Sequence, residues 1–266
     1  MKIAVLMGSP RIGDSYNICK AIEAEFCALD EQVVFEYIFL KNYEVQDCRG
    51  CALCFQSGEE KCPCGGDDLS TIKNKLILAD GVIIASPVYA YQITAQLKRV
   101  IDRLSYLFHR QEMVGKPTLI VITTDGGGSK QVYKYLKMTV SGWGLNLIGN
   151  LQICSPMYFD DRVKTHAYGY NAVYFEKKMR ALRRVTSLFQ KKLNQNEGKI
   201  PSFYEIFMFN CLRSKTYTSK LDYNFWLKKG WMNSDYFYEV KLNPLKKNFG
   251  HLMKSLIHRL GKSYLE

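Results

Sequence analysis

The sequence lacks the signatures of several function classes. No stretch of its 266 residues approaches the roughly 20 consecutive apolar residues of a membrane span. No secretory apolar core stands at the start, where a strand-like run begins at once, so a cytoplasmic protein is expected. Histidine is scarce: His109, His166, His251 and His258 form no cluster with a carboxylate or nucleophile and read as structural or solvent-facing. There is no Gly-x-Ser-x-Gly elbow, no His-Glu-x-x-His and no Walker loop, and Gly126-Gly127-Gly128 is not the G-x-G-x-x-G that a dinucleotide fingerprint requires. Internal repeats and low-complexity tracts are absent as well. No nucleic-acid-binding motif accompanies the net charge of +12, so nucleic acid is set aside as a partner.

What is present starts at residue 2. The apolar run Lys2-Ile3-Ala4-Val5-Leu6-Met7 stops at Gly8-Ser9-Pro10-Arg11-Ile12-Gly13-Asp14-Ser15-Tyr16-Asn17, and a helix-period stretch follows to residue 29. A buried strand, a tight polar loop and a helix start put free N–H groups, hydroxyls and a guanidinium at a positive helix end, which suits a phosphate monoester. The plainer alternative is an ordinary βα turn with Ser15 as N-cap. Further apolar runs at 33–40, 81–86, 117–123 and 146–153 alternate with helical patterns at 69–79, 93–108, 130–141 and 170–193. Near-continuous apolar strands with helical crossovers predict a doubly wound parallel α/β sheet, with function in the loops after strands one, three and four.

Beyond a boundary near residue 198 the composition changes. Residues 200–266 hold eleven Lys and Arg against five Asp and Glu, are rich in aromatics, and predict helices at 203–212, 220–229 and 244–260. In the last, Leu245, Phe249, Leu252, Leu256 and Leu260 recur at helical spacing between basic residues. Such a stripe is expected to dock on the protein's own sheet unit or a second subunit, with peripheral membrane contact as the alternative.

Nine cysteines in a chain of this size point to metal or redox use rather than a disulfide scaffold. Five of them form C-x2-C-x2-C-x7-C-x-C, from Cys48 to Cys64. Three thiols at intervals of three can wrap one iron–sulfur cube, with a fourth arriving after a short loop. A four-cysteine zinc site, a redox disulfide and a metal-free state are the competing readings.

Taken together, these segments resemble a known family. Gly8-Ser9-Pro10-Arg11 with Ser15, then Ser86-Pro87-Val88-Tyr89 followed by Gln96-Leu97-Lys98 and Ile101-Asp102-Arg103, then Thr124-Asp125-Gly126-Gly127, resemble the three signatures of the NAD(P)H-dependent FMN reductases over about residues 1–190. The resemblance implies a flavodoxin-like five-stranded sheet of order 2-1-3-4-5, bound FMN reduced by NAD(P)H, and a homodimer or higher homo-oligomer. By position it implies that Ser9, Arg11, Ser15, Tyr16 and Asn17 hold the phosphate. Pro87, Val88, Tyr89, Ala90 and Tyr91 would lie along the ring, and Thr124, Asp125, Gly126 and Gly127 would approach its polar edge. Lys98 and Asp102 read as an i,i+4 pair rather than catalytic groups, and no catalytic acid or base is named. The cysteine segment resembles that of the iron–sulfur flavoproteins, a branch of the same family. It implies a 4Fe–4S cluster on Cys48, Cys51, Cys54 and Cys62, with Cys64 spare or substituting for one of them, and an acidic pair, Asp67-Asp68, opening the next helix.

The domains expected are residues 1–198, a flavin-binding unit with a cysteine-rich insertion at 41–68, and 199–266, a helical extension. The function expected is FMN-dependent electron transfer from NAD(P)H to a quinone, flavin, azo or protein acceptor. The alternatives are an iron–sulfur electron-transfer flavoprotein and a non-enzymatic flavin sensor that engages a partner or membrane.

Overall fold

In a computed structural model of the chain, the residues described are 1–28, 32–154, 172–195 and 198–262. His166 and the expected helix start at residue 170 lie outside them. Five strands, β1 (Lys2–Met7), β2 (Val34–Phe39), β3 (Gly81–Pro87), β4 (Pro117–Thr124) and β5 (Asn146–Cys154), form one all-parallel sheet of order β2-β1-β3-β4-β5. The order reverses between β1 and β3, so their C-terminal ends border the crevice where such folds bind ligands.

The period-2 alternation of the strands builds both faces of the core. Ile3, Val5 and Met7 point to one side, where α1 (Asp14–Cys27) and α6 (Ala172–Leu193) cover them through Ile18, Ile22, Phe26, Leu182 and Phe189. Ala4 and Leu6 point to the other, beneath α3 (Leu69–Leu78), α4 (Ala95–Arg103) and α5 (Ser129–Gly142). A short helix, α2 (Leu53–Gln56), lies in the cysteine segment. The pattern expected as one helix over 93–108 is split. Thr94 is extended because its Oγ1 donates to Gly8 O at 2.6 Å, α4 stops at Arg103, and a separate 3₁₀ turn spans Ser105–Phe108.

The C-terminal region is helical: α7 (Phe203–Lys215), α8 (Lys220–Lys228) and α9 (Pro244–Lys262). Ser202 and Glu205 close a capping box on α7, and Ser219 caps α8. A separate aromatic core forms from Phe209, Trp226, Trp231, Tyr236 and Phe237, and Phe108 and Val114 of the sheet unit pack into it. Polar ties reinforce that contact: Trp226 Nε1 donates to His109 O at 2.5 Å, Tyr238 Oη to Asn146 Oδ1 at 3.1 Å, and Ser219 Oγ to Phe55 O at 2.6 Å.

Of the neighbours expected for the last helix, the sheet unit is the one to correct. Helix α9 packs on α7, not on the sheet, through Phe249 against Phe203 (5.2 Å between rings) and Gly250 against Ile206. The leucines of the supposed docking stripe, Leu245, Leu252, Leu256 and Leu260, are exposed. Helical spacing reveals an apolar stripe; the turn that follows α8 decides which side of it meets a neighbour. No helix among the described residues is long and apolar enough to cross a membrane.

Candidate functional site

Strand β1 ends at Gly8, whose N–H donates to Ala85 O at 2.8 Å. A Cβ there would lie 3.0 Å from Ala85 O and 3.0 Å from Leu97 Cδ2, so only glycine lets the loop leave the sheet so close to β3. Its carbonyl accepts from Thr94 Oγ1 and from Gln96 Nε2 at 2.9 Å, which fixes the loop to α4. Gly13, not Ser15, is the N-cap of α1. Ser15 lies inside the first turn, with its hydroxyl 2.7 Å from Thr123 Oγ1 of β4. Ser9 Oγ donates to Arg11 O at 2.7 Å and shapes the loop.

The loops after β1, β3 and β4 enclose a cavity of about 160 Å³. Of the residues expected there, Ser9, Arg11, Ser15, Pro87, Val88, Tyr89, Thr124 and Asp125 line it. Tyr16 and Asn17 do not: the Tyr16 ring packs edge-on to Tyr37 at 5.3 Å and beside Phe39, on the flank of α1. Ala90, Tyr91, Gly126 and Gly127 do not line it either, although they belong to the two turns that follow its lining residues. Thr124 Oγ1 ties the 124–127 turn by donating to Gly127 O at 2.7 Å and accepting from Gly126 N. Thr123 and Gly13 also line the cavity and were missed, although an inward residue at a strand's C-terminal end is a recognisable signal.

The turn at the mouth is strained. Tyr89 and Gln92 exchange both backbone hydrogen bonds, at 2.8 and 2.9 Å, around Ala90 (φ 47°) and Tyr91 (φ 61°). Both central residues of such a turn need positive φ, where Asn-Gly is the easy choice. Ala52 (φ 57°), in the cysteine segment, is the other non-glycine residue in the left-handed region among those described. Strain of this kind clusters at functional sites. Gly128 (φ 85°) backs the Tyr91 turn: a Cβ there would lie 2.7 Å from Val88 Cγ1 and 3.0 Å from Tyr91 Cα. Gly128→Ala is therefore expected to destabilise the protein by at least about 1–2 kcal/mol from the backbone alone. A melting curve measures this, and an unchanged midpoint would remove the close approach from the account.

A second cavity, of about 480 Å³, is lined by Cys48, Cys51, Cys54, Cys62 and Cys64. Cys64 is buried and its thiol donates to Asp47 O at 3.5 Å, so it is the sulfur already committed to the protein. Burial raises the Cys54 thiol pKa, and the nearby sulfurs of Cys48, Cys62 and Cys51 raise it further while Arg110 opposes them. No three His, Cys, Asp or Glu side chains among the described residues converge as a bare metal ion would need; the thiols border a space instead.

Buried arginines hold this segment. Arg103 donates to Asp67 Oδ2 at 2.6 Å, to Gln46 O at 3.0 Å and to Cys64 O at 3.0 Å. Burial alone would raise the Asp67 carboxyl, but the Gln46 N–H, Arg103 and the Leu69 N–H hold it below its ordinary value. Arg110 donates to Cys54 O at 2.6 Å, to Glu59 Oε2 at 2.9 Å and to Asp222 Oδ1. His109 Nδ1 lies 2.7 Å from Asp222 Oδ2, which corrects the reading that no histidine meets a carboxylate; His251 also lies 3.2 Å from Asp235. Lys98 and Asp102 pair at 2.6 Å as expected. Helix α4 thus joins the two cavities, with Thr94 and Gln96 at one end and Arg103 at the other, about 13 Å apart by the rise per residue.

The sequence pattern of the NADPH-dependent FMN reductase family matches residues 1–160. An iron-sulfur flavoprotein of Archaeoglobus fulgidus is 27% identical over 242 residues, which cover 87% of this chain and 100% of that protein. Among solved structures, RosB with bound 8-demethyl-8-formylriboflavin-5'-phosphate superposes with a TM-score of 0.54 at 11% identity, covering 92% of each chain. An FMN-dependent NADH-azoreductase from Bacillus anthracis in complex with FMN superposes with a TM-score of 0.52 at 14% identity, covering 70% of this chain and 98% of that one. At such identities the two structures establish a shared fold.

Proposed function

The chain belongs to the NADPH-dependent FMN reductase family and is an FMN-dependent oxidoreductase; from that premise we propose that it is an iron–sulfur electron-transfer flavoprotein, with a 4Fe–4S cluster on Cys48, Cys51, Cys54 and Cys62. The observation that carries the reading is the second cavity, where five cysteines border one space and one of them, Cys64, directs its thiol to Asp47 O. The iron-sulfur flavoprotein of Archaeoglobus fulgidus, matched over its whole length, supports it.

The donor set suits both groups. At the first cavity, Ser9, Arg11 and the first-turn N–H groups of α1 offer hydrogen bonds to a phosphate at a positive helix end. The Ser15–Thr123 hydrogen bond keeps that helix end against β4. Pro87, Val88 and the strained Tyr89–Gln92 turn supply an apolar wall for a planar ring, and the 124–127 turn supplies backbone polar groups at its edge. Tyr89 and Tyr91 remain exposed, 42% and 65%, and frame the mouth through which a nicotinamide or an acceptor would approach. When bound, FMN accepts a two-electron equivalent from a nicotinamide and the cluster carries single electrons. The residues around them bind, orient and exclude water; none has to act as an acid or base.

Anaerobic purification with iron, sulfide and zinc analysis tests the reading. About four iron and four sulfide per chain are expected, with broad visible absorption beneath the flavin bands. Stoichiometric zinc, or five freely titrating thiols and no iron after anaerobic reconstitution, would overturn it. Bleaching of the flavin by NADH or NADPH without an added protein reports whether the nicotinamide reaches the ring directly.

A further inference from the structure

The C-terminal helices contain a polar cavity unrelated to the flavin and cysteine sites. It measures about 40 Å³ and lies between α7, the segment around Asn233–Asp235, and α9. That exceeds the roughly 15 Å³ that one water needs. Arg213 lines it and is only 4% exposed. One of its terminal nitrogens donates to Ser234 O at 2.6 Å, the guanidinium lies 4.5 Å from the centre of the Phe209 ring, and Nε has no partner. The other two buried guanidiniums, Arg103 and Arg110, each meet a carboxylate. Arg213 meets none among the described residues.

The neighbouring groups deepen the imbalance. Lys254 lines the same cavity, donates only to Met232 O at 3.3 Å, and has its pKa lowered first by burial and then by the charge of Arg213. Burial brings Arg213 itself down to about 10. Lys247 is a third cation on the lining. The one acid there, Asp235, is 3.2 Å from His251. Three cations, the buried Arg213 and the exposed Lys247 and Lys254, thus line the cavity against one carboxylate, Asp235, whose charge favours both Arg213 and Lys254; an excess of positive charge beside a buried guanidinium short of partners is unfavourable unless an anion joins it.

We infer that this cavity binds a phosphate- or sulfate-sized oxyanion, held by the Arg213 guanidinium with Lys254 and Lys247. The planar guanidinium offers parallel donors to such an anion, and the ammonium groups add charge. The oxyanion could belong to a soluble ion or metabolite, or to a lipid headgroup. Lys254 stands two residues from both Leu252 and Leu256, about 200° around α9, so a bilayer resting on the exposed leucines would lie on the far side from the cavity. The geometry therefore favours a soluble oxyanion.

The test is thermal melting of the full-length FMN-loaded protein, whose own phosphate site is filled, in inorganic phosphate against chloride at equal ionic strength. A saturable rise in midpoint with phosphate is expected. R213M should melt higher than the parent without phosphate and lose the response. K247M, at an exposed position, should keep the anion-free midpoint and weaken phosphate binding by about tenfold or more. A rise produced by phosphatidic acid vesicles and not by phosphate would assign the oxyanion to a headgroup. No response to either, or a midpoint that depends on protein concentration and loses that dependence in R213M, would overturn the site, the latter by giving Arg213 a carboxylate from a second copy.

Discussion

Asp222→Asn is expected to destabilise the protein by about 3–5 kcal/mol, the usual result of leaving a buried charge without its partner. For a chain of this size that lowers the melting temperature by roughly 6–20 °C. Asp222 is 0% exposed and answers both His109 and Arg110. Asn keeps the shape but removes the charge, and the Arg110 side chain, 6% exposed, cannot reach water in compensation. The consequence should extend past stability. Arg110 also holds Cys54 O and Glu59 and lies 5.2 Å from the centre of the Tyr106 ring, so the carboxylate on α8 acts as the anchor of the short helix that carries Cys54. In metal-free protein the Cys54 thiol should therefore react faster with a thiol reagent in the variant, while flavin content stays unchanged. A midpoint within a degree of the parent would show that Glu59 and the Cys54 carbonyl hold Arg110 without the Asp222 charge. Replacing Arg110 and Asp222 together by apolar residues should recover part of the loss, because neither buried charge of the pair then remains, and Glu59, 35% exposed, keeps Lys73 at 3.8 Å.

The sheet was legible because its central strands β1, β3 and β4 are nearly continuous apolar runs between polar breaks, and burial on both faces demands that composition. The loop after β1 was legible for a related reason: its hydroxyls and guanidinium sit next to one another in the chain. Contacts that depend on distant segments were not. The Ser15–Thr123 hydrogen bond joins residues 108 apart and the His109–Asp222 pair residues 113 apart, and neither partner carries a local pattern that names the other. The turn at Ala90–Tyr91 escaped notice because its conformation usually announces itself with Asn or Gly, and here the surrounding structure imposes it on Ala and Tyr. The leucine stripe of α9 was seen, but that it does not meet the sheet was not, since periodicity describes one helix and docking involves two.

The combined variant Arg11→Ala, Ser15→Ala separates the two proposed centres. Each substitution removes support for a charge-assisted contact of about 1.5–3 kcal/mol, so together they should weaken FMN binding by roughly a hundred- to ten-thousandfold. The two act differently. Arg11 would touch the phosphate itself, whereas the Ser15 hydroxyl already engages Thr123 and works by keeping the start of α1 against β4. Flavin lost on gel filtration and regained with excess FMN is the expected behaviour. Iron content should not follow it, because the cysteine segment is tied down by Arg99 to Asp47, Arg103 to Asp67 and Arg110 to Cys54 O and Glu59, none of which touches the first loop. Full flavin retention would move the phosphate away from the α1 terminus. Joint loss of flavin and iron would mean that the loop also steadies the cluster through α4, whose first turn holds the Gly8 carbonyl while its last turn grips the cysteine segment.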